Sequence, residues 1–236
     1  MRHPSRQSNR LFAWAYAYRH AALFLIFFVI LQLFNIVERT VVPRYWVACS
    51  LDENIPFIPL FVIPYVFWFL YVGAGLVFLC LRDKPTFIPT ILLLCTGMAI
   101  AVLIYALFPH GQPLRPAVTD SDPFSVFVRD VIYANDTNTN CCPSIHVLNQ
   151  LAVHAGICHS QRFRDRRGVK WASLIATVLV CASTVLIKQH SILDVAAALI
   201  LELPLYWLFF RGRLRTRLAR LFSDAGAPVS GAAAIR

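Results

Sequence analysis

The sequence predicts an all-α integral membrane bundle of about six transmembrane helices, with both termini in the cytoplasm. Composition is the first observation: 58% of the 236 residues are hydrophobic and only 14% are charged, with a mean hydropathy of +0.61. A soluble domain carries nearer a quarter charged residues. The second observation is a series of apolar runs at about 21–37, 56–81, 87–108, 143–160, 171–187 and 190–210. Runs of roughly 18 or more such residues are long enough to cross a bilayer as a helix. The third is the placement of Lys and Arg in short blocks between those runs, which is how membrane topology is encoded.

The run at 21–37 follows a basic N-terminus, as a signal peptide would. It is long for a cleaved segment and no small-x-small site follows it, so it reads as a retained first span. The second run contains Pro59 and Pro64 and is expected to kink. The fourth is short and holds His146, Asn149, His154 and His159. A span with that many polar groups is stable only when packed among other helices, because lipid cannot satisfy them. No internal repeat or linker divides the chain. Residues 1–222 read as one transmembrane domain, and 223–236 as a disordered cytoplasmic tail.

Orientation follows from the cations. Segments 2–19, 82–84, 162–170 and 211–236 are Arg- and Lys-rich, whereas the other side has only Arg39, Arg44, Arg115, Arg129 and Lys188. The positive-inside bias puts the 109–142 loop and the 187–190 junction outside a plasma (inner) membrane. The net charge of +10 therefore reads as topology and not as nucleic-acid binding. The seven cysteines form no CxxC and no Cys/His cluster at zinc spacing, so no metal and no cofactor are expected. Cys49 and the Cys141-Cys142 pair fall on the same outer face, which leaves a disulfide between them open.

Three polar stations share that face. Residues four apart on a helix lie on one side, so Asp194 can hold one nitrogen of His190 and leave the other with a free lone pair. That arrangement suits a nucleophile or base, and it also suits a structural buried pair. Pro143-Ser144 opens the fourth span, where unpaired N–H groups of Ser144, Ile145 and His146 and the helix dipole can cradle an anion. Taken alone, Ser144 is more often an ordinary helix cap. His146 stands one turn inside, positioned to deliver a proton. Arg115 offers a planar fork to phosphate oxygens, although a lone loop Arg is usually solvated. Glu202, in Leu201-Glu202-Leu203-Pro204, is an ionisable residue in the last span that this pattern does not use.

These residues resemble the type 2 phosphatidic acid phosphatase (lipid phosphate phosphatase) superfamily, whose signatures are Lys-x6-Arg-Pro, Pro-Ser-Gly-His and Ser-Arg-x5-His-x3-Asp. Arg115-Pro116 matches the end of the first, and Pro143-Ser144-Ile145-His146 matches three of four positions in the second. Ser183, His190 and Asp194 match the third at its full spacing. The resemblance covers roughly 108–194 and extends to the six-helix topology. Phe108 stands in the family's Lys position, Thr184 in its Arg position and Ile145 in its Gly position, which removes two positive charges. Lys188 and His110 are close enough in sequence to replace them. The Ser-Thr-x3-Lys-Gln-His form is also similar to the inositol phosphorylceramide synthase branch.

The resemblance implies a metal-independent phosphohistidine mechanism on a phosphorylated lipid. His190 would be the nucleophile, Asp194 its partner and His146 the acid and base. Arg115, Ser144, Ile145, Ser183 and Thr184 would surround the phosphate. Hydrolysis of a lipid phosphate monoester or pyrophosphate is the leading expectation, headgroup transfer the second, and a non-catalytic lipid-binding protein the third.

Overall fold

The computed structural model describes residues 18–117, 122–212 and 214. The expected tail at 223–236 and the first basic block up to residue 17 lie outside them. Six main helices follow the six apolar runs: α1 (Leu23–Thr40), α2 (Val62–Arg82), α3 (Lys84–Leu107), α4 (Ile145–His159), α5 (Arg167–Leu186) and α6 (Ile192–Tyr206). A 3-10 turn precedes α1, and a π-turn at Trp207–Arg211 extends α6. Five of these helical stretches, all except α4, are long and apolar enough to cross a membrane.

Burial sorts the helices. In α3, 67% of the apolar window is buried, against 11–28% in the other four long helices. The outer helices instead expose large apolar side chains, such as Leu25 at 67%, Phe69 at 59% and Ile200 at 70%. In water such a surface is unfavourable; in lipid it is the expected solvent-facing belt.

The 15 residues of α4 span only about 22 Å, less than the roughly 30 Å of hydrocarbon that a full span must cross. The helix packs against α3, α5, α6 and α2 at the centre of the bundle. Some of its polar groups find partners there: Gln150 Nε2 donates to Thr177 Oγ1 at 3.1 Å, and His154 Nδ1 pairs with Ser173 Oγ at 2.7 Å, whereas Asn149 Oδ1 and Gln150 Oε1 are buried without one. Close approach of α4 to its neighbours depends on Gly156. A Cβ there would lie 2.5 Å from Thr90 Oγ1 and 2.8 Å from Leu79 Cδ1.

The prolines of the second run stand at the start of its helical stretch, not in its middle. Pro59 opens a 3-10 turn and Pro64 sits in the first turn of α2. An N–H missing from the first turn has no intrahelical partner to lose. The backbone before Pro59 leaves the helix, so α2 begins later than the apolar run.

At one end of the bundle the Ser160 hydroxyl and the Gln161 amide donate to Asp83, at 2.6 and 3.0 Å. This joins the basic turns around 82–84 and 160–162. At the other end three segments fold over the helix tips. Tyr45–Trp46 pairs in parallel with His110–Gly111, a short helix runs over Ser50–Asn54, and a helical stretch runs from Pro123 through a π-turn to Asn135. All seven cysteines are free thiols, so the disulfide left open between Cys49 and Cys141-Cys142 is not formed.

Candidate active site

The corner between α5 and α6 positions His190. The amides of Gln189 and His190 both donate to the Thr184 carbonyl, at 3.0 and 2.9 Å. The turn passes through Lys188 with φ 57°, a left-handed conformation that costs a non-glycine residue roughly 1–2 kcal/mol. The Lys188 ammonium, donating to the Asp52 carbonyl at 2.6 Å, helps to hold it. Beyond the corner, Ser191 and Asp194 form a capping box at the start of α6.

Asp194 thereby serves two groups. Its Oδ2 accepts from the Ser191 amide at 3.0 Å and lies 3.1 Å from His190 Nδ1. With the Nδ1 proton held by the carboxylate, His190 Nε2 keeps its lone pair. That nitrogen lies 3.4 Å from His146 Nδ1, on the first turn of α4. The two turns are tied by Ser144 N–H, which donates to the Asp194 carbonyl at 3.1 Å.

His146 has a carboxylate of its own. Its Nε2 lies 3.8 Å from Asp136 Oδ2, and the Tyr65 hydroxyl donates to that same oxygen. Its ring is flanked by Trp68 and Tyr65, with centroids at 4.5 and 4.8 Å, while Trp68 Nε1 donates to its carbonyl at 2.9 Å. The result is a chain of acid, imidazole, imidazole, acid: Asp194, His190, His146 and Asp136.

The imidazoles face a cavity of about 450 Å³. Phe27, Leu31 and Phe34 of α1, Val66 and Phe69 of α2, and Met98 of α3 form its apolar wall. Its polar end holds Glu38, Asn135, Asp136, Thr139 and Asn140. Asn140 is buried, and neither its Oδ1 nor its Nδ2 has a hydrogen-bond partner. Among the described residues no Lys or Arg lines the cavity.

The residues expected to surround a phosphate divide. Ile145 joins His146 and His190 on the cavity wall. Ser144 caps α4, its hydroxyl accepting from Val147 N at 3.4 Å and its amide already used on Asp194. Only the amides of Ile145 and His146 therefore remain of the expected cradle. Ser183 and Thr184 turn their hydroxyls back onto their own helix, to the carbonyls of Val180 and Cys181 at 2.7 and 2.8 Å.

Arg115 lies behind the cavity, not in it. Its guanidinium donates to the carbonyls of Tyr133 and Asp136 and to Gln189 Oε1, and stacks 4.2 Å over the Tyr133 ring. Burial pulls its pKa below the ordinary guanidinium value, and Asp136 opposes that pull. Arg115 and Gln189 together clamp the 133–137 segment, and so Asp136, onto the His190 corner. Only its Nε–H is buried without a partner.

Lys188 and His110, expected to replace the two missing cations, are both committed elsewhere. Lys188 is held on Asp52. His110 is fully buried, with Nδ1 2.7 Å from the Phe108 carbonyl and Nε2 accepting from the Cys142 amide at 2.7 Å. Both ring nitrogens are used to fasten the loop entering α4. Glu202 is buried in α6 with neither carboxylate oxygen hydrogen-bonded, and it does not line this cavity.

Several contributors are not legible from the motifs. Asp52 places two oxygens on the start of α6, accepting from the Ser191 hydroxyl at 2.7 Å and from Ile192 N at 2.8 Å. Asp136 could have been noticed as the one acid in the polar stretch Asn135-Asp136-Thr137-Asn138 just before Pro143. Tyr65 and Trp68 carry no signal, being aromatics within an apolar run. The chain matches no protein-family model, no curated protein and no solved structure.

Proposed function

We propose that this protein is a membrane lipid phosphatase, acting on a phosphorylated lipid through a phosphohistidine intermediate. The observation that carries the reading is the imidazole pair, with His190 backed by Asp194 and facing His146 at the wall of an apolar cavity. The signature resemblance of 108–194 to the type 2 phosphatidic acid phosphatase superfamily supports it. So does the cavity wall, because Phe69 and Val66 both line it and are 59% and 40% exposed on the outside of the bundle. A lipid chain entering between helices stays in an apolar medium throughout.

In this mechanism His190 Nε2 attacks phosphorus while Asp194 steadies the imidazolium that forms. Nitrogens 3.4 Å apart leave no room for a phosphoryl group, so the imidazoles part as the headgroup enters. His146, facing Asp136, gives a proton to the departing alcohol and then takes one from the water that resolves the adduct. The amides at the start of α4 and the unpaired Asn140 Nδ2 are the available donors for charge on the phosphoryl oxygens, while Arg115 acts from behind by fastening the 133–137 segment. By the positive-inside distribution, the site faces the extracytoplasmic side and the 82–84 and 160–170 turns face the cytoplasm.

Headgroup transfer is the second reading, favoured by one feature. The cavity has an apolar wall and a polar end with Glu38 and Asp136 but no cation. Such an end suits a hydroxyl-bearing acceptor better than a second phosphate.

The test uses purified full-length protein in mixed micelles with radiolabelled phospholipid. An acid-labile phosphate adduct that vanishes in His190→Ala is the expected result; no adduct in the wild type, or an unchanged one in the variant, overturns the reading. Release of inorganic phosphate against label passing to an added lipid alcohol separates hydrolysis from transfer.

A further inference from the structure

We propose that Cys141, His190 and Asp194 form a binding site for a thiophilic divalent cation such as Zn²⁺, which switches the His190 centre off when occupied. The three side chains are all buried, and each offers one ligand atom, all of them within 4.8 Å of one another. They come from the end of the 109–142 segment and from the α5–α6 corner, so no local sequence spacing reveals them.

A second observation points to a ligand at the same place. Asp194 is fully buried; its Oδ2 has two partners, its Oδ1 has no regular hydrogen bond, and the Cys142 thiol, a weak donor, is the one further group against the carboxylate. A carboxylate oxygen removed from water without a partner is unfavourable. Cys141 contributes only a weak S–H contact to the Thr139 carbonyl at 3.4 Å, which is easily given up. Both Cys141 and His190 line the cavity, which supplies the access route.

The donor set selects the ion. Sulfur, imidazole nitrogen and one carboxylate oxygen suit Zn²⁺ or Cd²⁺, whereas Mg²⁺ and Ca²⁺ require oxygen shells. Zinc bonds of about 2.3 Å to sulfur and about 2.0–2.2 Å to nitrogen and oxygen place tetrahedral ligands roughly 3.3–3.7 Å apart. The ligand atoms, now within 4.8 Å of one another, would have to draw together by up to about 1 Å to reach that geometry. Binding forms metal–sulfur, metal–nitrogen and metal–oxygen bonds and breaks the Cys141 S–H bond, whose proton passes to solvent. The imidazole stays neutral, with its one proton on the nitrogen that does not coordinate. Whichever nitrogen binds, His190 no longer has a free lone pair on Nε2.

Loss of turnover on binding rests on the proposed function; binding itself does not. The experiment therefore has two arms, on the full-length protein in micelles. In the first, protein is mixed with Zn²⁺, desalted and assayed for retained metal, and Cd²⁺ is added while thiolate–cadmium absorption is followed in the ultraviolet. Wild type is expected to retain zinc and show the absorption band, Cys95→Ser to behave likewise, and Cys141→Ser to lose both. Retention by Cys141→Ser equal to wild type, or none by wild type, overturns the site. Matching gel-filtration profiles establish that the variant is folded; a misfolded one is replaced by Cys141→Ala.

In the second arm, turnover is compared with and without micromolar Zn²⁺, each protein against its own zinc-free rate. Wild type is expected to lose about tenfold or more and Cys141→Ser to lose little. Equal loss in both overturns the switch. Cys141-dependent binding by a protein with no phosphatase or transferase activity leaves the metal site standing and sinks the functional reading instead.

Discussion

His190 Nε2 lies 3.4 Å from His146 Nδ1, and the outer nitrogen of each ring faces a carboxylate, Asp194 at 3.1 Å and Asp136 at 3.8 Å. The two imidazoles are therefore chemically different. His190 is fastened by a hydrogen bond within one turn of α6, whereas His146 faces an acid from a separate segment. The first suits attack on phosphorus and the second suits movement of a proton.

That division predicts different responses to the leaving group. His190→Ala is expected to abolish turnover of every substrate. His146→Ala is expected to lose on the order of 10²–10⁴ with a lipid alkyl phosphate, yet to recover much of it with a nitrophenyl ester. An activated leaving group departs without a proton. Steady-state rates on both substrates check this, and equal losses in the two variants on both substrates would contradict the assignment.

In the proposed mechanism Asp136 and Tyr65 act through His146 as positioning residues. Asp136→Asn and Tyr65→Phe are expected to lower kcat about tenfold to a hundredfold, the usual cost of a misplaced catalytic group, with KM little changed. The nitrophenyl ester should rescue both, as it rescues His146→Ala. A purely structural role would leave no such rescue.

Asp52 fixes the beginning of α6. Burial raises its pKa, but hydrogen bonds from the Ile192 amide, the Ser191 hydroxyl and Cys49 outweigh burial and leave it below the ordinary carboxylate value. A depressed folded-state pKa gives stability that is full above the unfolded value of about 4. It is lost as pH falls through the folded value. Asp52→Asn is expected to lower stability at neutral pH by about 1–3 kcal/mol. Its difference from wild type should narrow in acid, as followed by thermal unfolding in micelles across pH.

Gly156 sets the approach of α4 to α2 and α3. The Cβ of Gly156→Ala would meet Thr90 Oγ1 at 2.5 Å and Leu79 Cδ1 at 2.8 Å. Forcing those helices apart is expected to cost about 1–3 kcal/mol and to lower the melting midpoint and the activity together. Gly168→Ala meets nothing within 4 Å and serves as the control. It should be neutral or slightly stabilising, because Ala is the better helix former.

The helical membrane architecture was determined by the sequence alone. Apolar runs flanked by basic blocks leave a chain no other way to satisfy its backbone in lipid, so each run became a helix. The spacing of His190 and Asp194 was legible too, but His190 precedes α6, so the contact comes from the capping turn, where Asp194 Oδ2 takes both the Ser191 amide and the His190 ring, and not from a shared helix face. The start of α4 was local too, although its first residue went to the cap, with Ser144 spending its amide on Asp194.

What tertiary structure decided was which polar groups reach the cavity. Lys188 and His110 are near the site in sequence, but each found a backbone partner first, the Asp52 carbonyl for one and the Phe108 and Cys142 backbone for the other. Asp136 reaches the His pair because Arg115 and Gln189 hold the 133–137 segment against the corner, while Tyr65 arrives from α2 and Cys141 from the loop entering α4. Long-range contacts of that kind depend on how helices of nearly equal hydrophobicity choose their neighbours. That choice is made by packing and by buried hydrogen bonds between segments far apart in the chain, which no short spacing encodes.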